Sequence, residues 1–179
     1  LRDALIAGLT LNIFNQHCDR VKMANIAQTI NVLQAVILTD REKMILTPTY
    51  HVFEMYSVHQ DATLLPVDLQ CDDYVFDQQR VPRVHVSASR NAAGVIHVSL
   101  CNLHPTDDVQ LYLSLPGAAV RTVTPRVLTA GTIQSHNTFE RPDEVRPQTL
   151  APVTVTDDRC QVTLPAKSVV VLAAQSTGS

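Results

Sequence analysis

The feature that most constrains this chain is a change of hydrophobic period near residues 60–68. Beyond it apolar residues recur at every second position: Val84, Val86 and Ala88; then Ile96, Val98 and Leu100; then Val109, Leu111, Leu113 and Leu115. Successive side chains of a strand point to opposite faces, so this alternation calls for strands with one face turned inward. Turn formers separate the runs, Asn91-Ala92-Ala93-Gly94 after the first and His104-Pro105-Thr106-Asp107-Asp108 after the second. With Val120–Leu128, Val153–Thr156, Gln161–Leu164 and Val169–Leu172 they make about seven short strands, the pattern of an antiparallel sandwich or jelly roll.

Before the change the texture is helical. Residues 3–17 place Leu5, Leu9 and Ile13 at helical spacing, and Ile6 and Leu11 widen the apolar face. Such a helix needs protein cover over much of its surface. His17 and the Asp19-Arg20 pair close it. Val21–Gln28 reads as a short strand ending in a polar amide, with Ala24 and Ala27 suited to a tight interior. Thr29–Ile37 is apolar and open between helix and loop; Leu38–Leu46 carries the charged turn Thr39-Asp40-Arg41-Glu42-Lys43. Thr47-Pro48 starts a second helix, with a hydroxyl to cap it and a Pro whose missing N–H costs nothing there. That helix runs to His59 and buries Val52, Phe53 and Tyr56. Helix, strand and helix in this order form the βα repeat of parallel sheets and barrels. One strand cannot make a parallel sheet, so the chain reads as incomplete.

Composition excludes several classes. With 45% hydrophobic and 17% charged residues the 179-residue chain is globular, not disordered. A net charge of −3 with scattered Lys and Arg points away from nucleic acid. Apolar runs such as Val169–Ala174 are too short to span a bilayer, so no membrane is expected. No signal peptide is visible, but the chain opens on Leu1, and the true N-terminus is expected upstream. Cys18, Cys71, Cys101 and Cys160 lie far apart and read as buried free thiols. His51 and His59 stand eight apart, and His85 and His97 sit in strands; none has a second ligand at metal spacing, so neither metal nor cofactor is expected. Tyr50, Phe53 and Tyr56 read as core packing, and Asn137–Pro142 as a connection pinned by Phe139.

Four separated motifs then agree in order: KMANIAQ-x-x-NVL (Lys22 to Leu33), LTPTYHVFEMY (Leu46 to Tyr56), HNTFERPDEVRP (His136 to Pro147) and LPAKSVVVL (Leu164 to Leu172). Together they resemble the C-terminal part of family 51 glycoside hydrolases, the α-L-arabinofuranosidases, over essentially the whole chain. The resemblance implies an α/β plus all-β architecture, the last βα unit of an incomplete (β/α)8 barrel in residues 1–62 followed by an antiparallel jelly-roll sandwich in 63–179. On it, residues 3–17 are the seventh barrel helix, Val21–Gln28 the eighth strand and residues 48–59 the eighth helix.

The family's retaining mechanism uses two glutamates about 5–5.5 Å apart. The resemblance puts both on barrel strands ahead of Leu1, which leaves no catalytic residue in this chain. Glu42, Glu54, Glu140 and Glu144 do not match either of those two catalytic glutamates. Gln28 matches the family's glutamine that hydrogen-bonds the arabinofuranose. An amide both donates and accepts toward sugar hydroxyls without adding charge beside the carboxylates. By its residues alone Gln28 reads as a structural strand-end amide; the resemblance makes it substrate-binding. Asn25, three residues earlier, would face the other way and reads as structural.

The implied function is hydrolysis of terminal non-reducing α-L-arabinofuranosyl residues from arabinoxylan, arabinan or their oligosaccharides. This piece alone is expected to be inactive, and its full-length parent a cytoplasmic homo-oligomer. The alternative is a non-catalytic β-sandwich that binds polysaccharide or a protein partner. Sugar-binding sandwiches present exposed aromatic rings, yet the chain has no Trp, four Tyr and four Phe, and this alternative leaves residues 1–60 without a role.

Overall fold

Helix α1 (Arg2–Gln16) buries Ala4, Leu5, Gly8 and Asn12, a single stripe at three- and four-residue spacing. The broader apolar face expected from Leu5, Leu9 and Ile13 is only partly covered: Ile6 and Ile13 remain 53% and 39% exposed. The expected strand Val21–Gln28 is not a strand. It is irregular backbone that pairs with no strand among the described residues, and a strand exists only through its ladder of partners. The computed structural model describes residues 1–175, so the last four positions of the expected second domain lie outside the described residues.

Thr29–Ile37, open between helix and loop, is a loop joined by a parallel bridge from Ile30 to Ile37. The charged turn closes an antiparallel hairpin of β1 (Ile37–Asp40) and β2 (Lys43–Leu46). Helix α2 (Pro48–Tyr56) starts as expected, with the Thr47 hydroxyl accepting from the Tyr50 amide at 3.4 Å and Pro48 inside the first turn. One 3-10 turn, Ser57–His59, ends it.

Among the described residues eleven strands follow: β3 (Thr63–Leu65), β4 (Asp73–Phe76), β5 (Gln79–Pro82), β6 (Val84–Arg90), β7 (Ile96–Asn102), β8 (Val109–Ser114), β9 (Thr122–Leu128), β10 (Gln148–Thr149), β11 (Val153–Thr154), β12 (Arg159–Leu164) and, last, β13 (Ser168–Gln175). The principal sheet has the order β10-β9-β13-β7-β6-β3, with β11 also on β9, and all its pairings are antiparallel. Strands β8 and β12 pair across it as a second sheet, and β4 with β5 makes a separate hairpin.

The alternating residues meet between the two sheets. Val84, Val86, Ile96, Val98 and Leu100 pack there with Val162 and Leu164, and Leu111 and Leu113 close over them. The opposite face of the principal sheet is not open to water. Helices α1 and α2 lie on it, where Leu5, Val52, Met55 and Tyr56 pack on Cys101, Leu128, Val169 and Val171. Strand β7 is consequently buried at every position. Its even-numbered side chains face the second sheet and its odd-numbered ones face the helices.

Candidate functional site

Gln28 sits on an exposed loop with its backbone in the left-handed region, φ 53°. Asn31 (φ 55°) and Gln34 (φ 63°) share that conformation, so three non-glycine residues within seven are left-handed. Each such residue costs on the order of 1 kcal/mol and persists where its surroundings dictate it. The dictating bonds lie just after Gln28. The amides of Val36 and Ile37 both donate to the Thr29 carbonyl at 3.1 Å, and the Asn31 amide donates to the Ile37 carbonyl at 3.2 Å. At the base, Thr47 Oγ1 donates to the Ala35 carbonyl at 2.9 Å, which ties the loop to the start of α2. Among the described residues the Gln28 amide makes no hydrogen bond, so its donor and its acceptor are both free for a ligand.

Asn25 does not face away from Gln28 across a strand, because no strand is there. It lines a cavity of about 160 Å³ with Ile6, Thr10, Ile26, Gln34 and Phe53. Tyr56 is buried in the helix–sheet core as expected, while Tyr50 and Phe53 are half-buried.

The carboxylates of Glu42, Glu54, Glu140 and Glu144 do not converge. Glu54 on α2 is held by Arg126 on β9 through two contacts, Nη1 to Oε1 at 2.8 Å and Nη2 to Oε2 at 2.7 Å. Glu144 pairs with Arg141 at 3.0 Å. The carboxyl of Glu140 is held below its usual range by its own backbone amide and the Thr138 hydroxyl, opposite to what a general acid needs. Glu42 is exposed in the tip of the β1–β2 hairpin. Among the described residues no group of three His, Cys, Asp or Glu side chains is arranged to hold a metal ion. Cys18 and Cys71 are exposed and only Cys101 and Cys160 buried, which corrects the expectation of four buried thiols.

The polar cluster that sequence reasoning missed lies under the helices. Asn12 of α1 is fully buried, and its Oδ1 accepts from Ser99 Oγ at 2.7 Å and Ser87 Oγ at 2.9 Å. His59 spans two strands, with Nδ1 2.7 Å from Ser89 Oγ and Nε2 3.1 Å from Ser99 Oγ. Ser87 Oγ and Ser99 Oγ also stand 2.8 Å apart, so the hydroxyls, Asn12 and the imidazole form one continuous network. His59 is thus bonded through both ring nitrogens. Burial, with His97 nearby, pushes its pKa down to about 4. Burial pushes the Cys101 thiol up to about 12 and raises the Tyr56 phenol. The signal was present in the sequence: Ser87, Ser89, His97 and Ser99 occupy the positions between the apolar ones. Such residues ordinarily face water, and nothing local marks them as covered. Asn137 pins the long connection: its Nδ2 donates to the Leu46 and Val145 carbonyls at 2.8 and 3.0 Å, and its Oδ1 accepts from the Val145 amide at 2.7 Å, while Phe139 is half-buried.

Three comparisons bear on the whole. The family described as "Alpha-L-arabinofuranosidase C-terminal domain" matches residues 1–168. An intracellular exo-alpha-L-arabinofuranosidase of Bacteroides ovatus is 46% identical over 176 residues, 98% of this chain and 34% of that protein. A crystal structure of the GH51 arabinofuranosidase from Xanthomonas axonopodis pv. citri superposes with a TM-score of 0.92 at 44% identity, over 97% of this chain and 35% of that one. The arabinose complex of the Thermotoga maritima enzyme shares the fold, with a TM-score of 0.85 at 24% identity, 97% of this chain and 38% of that one being covered. The chain thus spans about a third of the length of these relatives. A family match over residues 1–168 and a relative 46% identical across 98% of the chain place it plainly: this chain belongs to the α-L-arabinofuranosidase C-terminal domain family.

Proposed function

We propose that this chain works as the C-terminal part of a retaining α-L-arabinofuranosidase. The parent removes terminal non-reducing α-L-arabinofuranosyl residues from arabinoxylan, arabinan or their oligosaccharides. In this reading residues 1–62 complete a catalytic (β/α)8 barrel and 63–179 form the accessory jelly roll. The two glutamates of the mechanism come from elsewhere in the parent, so the 179-residue chain alone does not turn over substrate. The protein acts in the cytoplasm and as a homo-oligomer. The observation that carries the proposal is the 46% identity to an exo-alpha-L-arabinofuranosidase across 98% of the chain.

Gln28 is the substrate contact. Its amide is exposed and unpaired among the described residues, on a loop whose main chain is pinned immediately after it. A neutral amide bonds two neighbouring sugar hydroxyls and leaves the charges of a nearby carboxylate pair undisturbed. When the ring flattens toward an oxocarbenium ion those bonds shorten, which places their effect in kcat more than in KM.

The test is kinetic. The complete enzyme is expected to hydrolyse an aryl α-L-arabinofuranoside, and the 179-residue chain to show no turnover. In the complete enzyme Gln28→Ala is expected to lower kcat/KM about ten- to a hundred-fold, with an unchanged melting temperature. Wild-type kinetics for Gln28→Ala would remove it from the site.

A further inference from the structure

We propose that Asn31 is a positioning residue for Gln28, a reading that rests on the sugar-binding role proposed above for Gln28. The side chain of Asn31 grips one residue twice. Its Nδ2 donates to Thr39 Oγ1 at 2.8 Å, and its Oδ1 accepts from the Thr39 amide at 2.8 Å. Thr39 lies in β1, paired with Met44 of β2, and the Thr47 amide at the foot of that hairpin donates to the Val36 carbonyl at 3.0 Å. The clamp therefore runs from the hairpin, itself tied to the start of α2, to a point three residues past Gln28.

The residue type fits the task. The position is left-handed (φ 55°), which Asn tolerates better than most residues, and only an amide offers a donor and an acceptor side by side for the Thr39 hydroxyl and N–H. Among the described residues no other side chain of positions 28–34 makes a hydrogen bond, and Leu33 (94%) and Gln34 are exposed. Asn31 is itself exposed, so it adds little to the core, and what it controls is local. Gln28 has no bond of its own among the described residues; its direction is set by the backbone on either side. Thr29 and Asn31 are the fixed points on the downstream side. Release of the clamp frees the loop to wander by an ångström or so, a displacement that costs an enzyme one to two powers of ten.

The experiment uses the complete enzyme with an aryl α-L-arabinofuranoside. Asn31→Gly keeps the left-handed backbone and removes the grip; Thr39→Val removes one of the two bonds from the hairpin side. Asn31→Gly is expected to lower kcat/KM about ten-fold, mostly in kcat, and Thr39→Val by less, with the melting temperature of both held. The deciding measurement repeats each change in a Gln28→Ala background. There the further loss is expected to be under about two-fold, because the residue through which the clamp acts is already gone. Equal losses in both backgrounds, or no loss from Asn31→Gly with Gln28 intact, would overturn the role of Asn31 and leave that of Gln28 standing. Wild-type kinetics for Gln28→Ala alone would overturn both.

Discussion

Gly8 of α1 lies directly over Cys101 of β7: a β-carbon at Gly8 would stand 2.8 Å from the Cys101 Sγ, 3.2 Å from Val169 Cγ2 and 3.3 Å from the Tyr56 hydroxyl. The helix can approach the sheet this closely only because the position has no side chain. Gly8→Ala is expected to destabilise the chain by about 1–2 kcal/mol, since overpacking outweighs the gain of roughly 1 kcal/mol in helix propensity. Its partner test is Cys101→Ala, which removes the nearest atom. Urea midpoints of the two single variants and the double variant should be non-additive, with the double variant recovering part of the loss.

Asn12 joins the same helix to β6 and β7 through buried hydroxyls. Asn12→Ala leaves Ser87 and Ser99 without their acceptor and opens a small void, and a cost of about 2–3 kcal/mol is expected. Asn15, half-buried with one bond to Ser87 Oγ at 3.1 Å, is the control; Asn15→Ala is expected to cost under about 1 kcal/mol. Equal losses for the two would show that the cluster does not hold α1 to the sheet.

His59 gives the interface a pH dependence whose sign follows from its pKa. The folded value, about 4, is below the ordinary 6.5, so between these limits the unfolded chain takes up a proton that the folded chain refuses. Stability is full above about pH 6.5 and falls as pH drops toward 4, by roughly 2 kcal/mol for this group after allowance for partial exposure. Burial also lowers the pKa values of His51, His85 and His97, so the dependence has several contributors. In His59→Gln the fall between pH 6.5 and 4 is expected to be shallower by one group's share, measured as denaturant midpoints across the range. An unchanged slope would assign the dependence to the other histidines.

Asn137 is 4% exposed and supplies both ends of a bridge between the Leu46 carbonyl and the Val145 main chain. Asn137→Ala is expected to cost about 2 kcal/mol and to speed hydrogen exchange at the Val145 amide, which loses its acceptor. Protection of Val145 at the wild-type level would show that another group holds the connection.

What could be read from the residues was whatever depends on neighbours in sequence. The alternation of Val84, Val86 and Ala88 against Ile96, Val98 and Leu100 announces strands with one packed face, and the two runs meet between the sheets. Thr47-Pro48 marks a helix start because a cap is made within four residues. The four motifs identify the family because order and spacing survive in the chain itself.

Tertiary structure decided everything that depends on what arrives from far away. Ser87, Ser89 and Ser99 look like a solvent face until the helices cover them; only then does Asn12 accept from Ser87 and Ser99, and His59 pair with Ser89. The segment Val21–Gln28 reads as a strand but is not one, because a strand is made by partners and none is paired with it among the described residues. The left-handed turn at Gln28 was equally hidden, since it is set by bonds from Val36, Ile37 and Thr39 to the residues just beyond it. Propensity is a property of a few adjacent residues, whereas burial and hydrogen-bond pairing belong to the surface that comes to meet them.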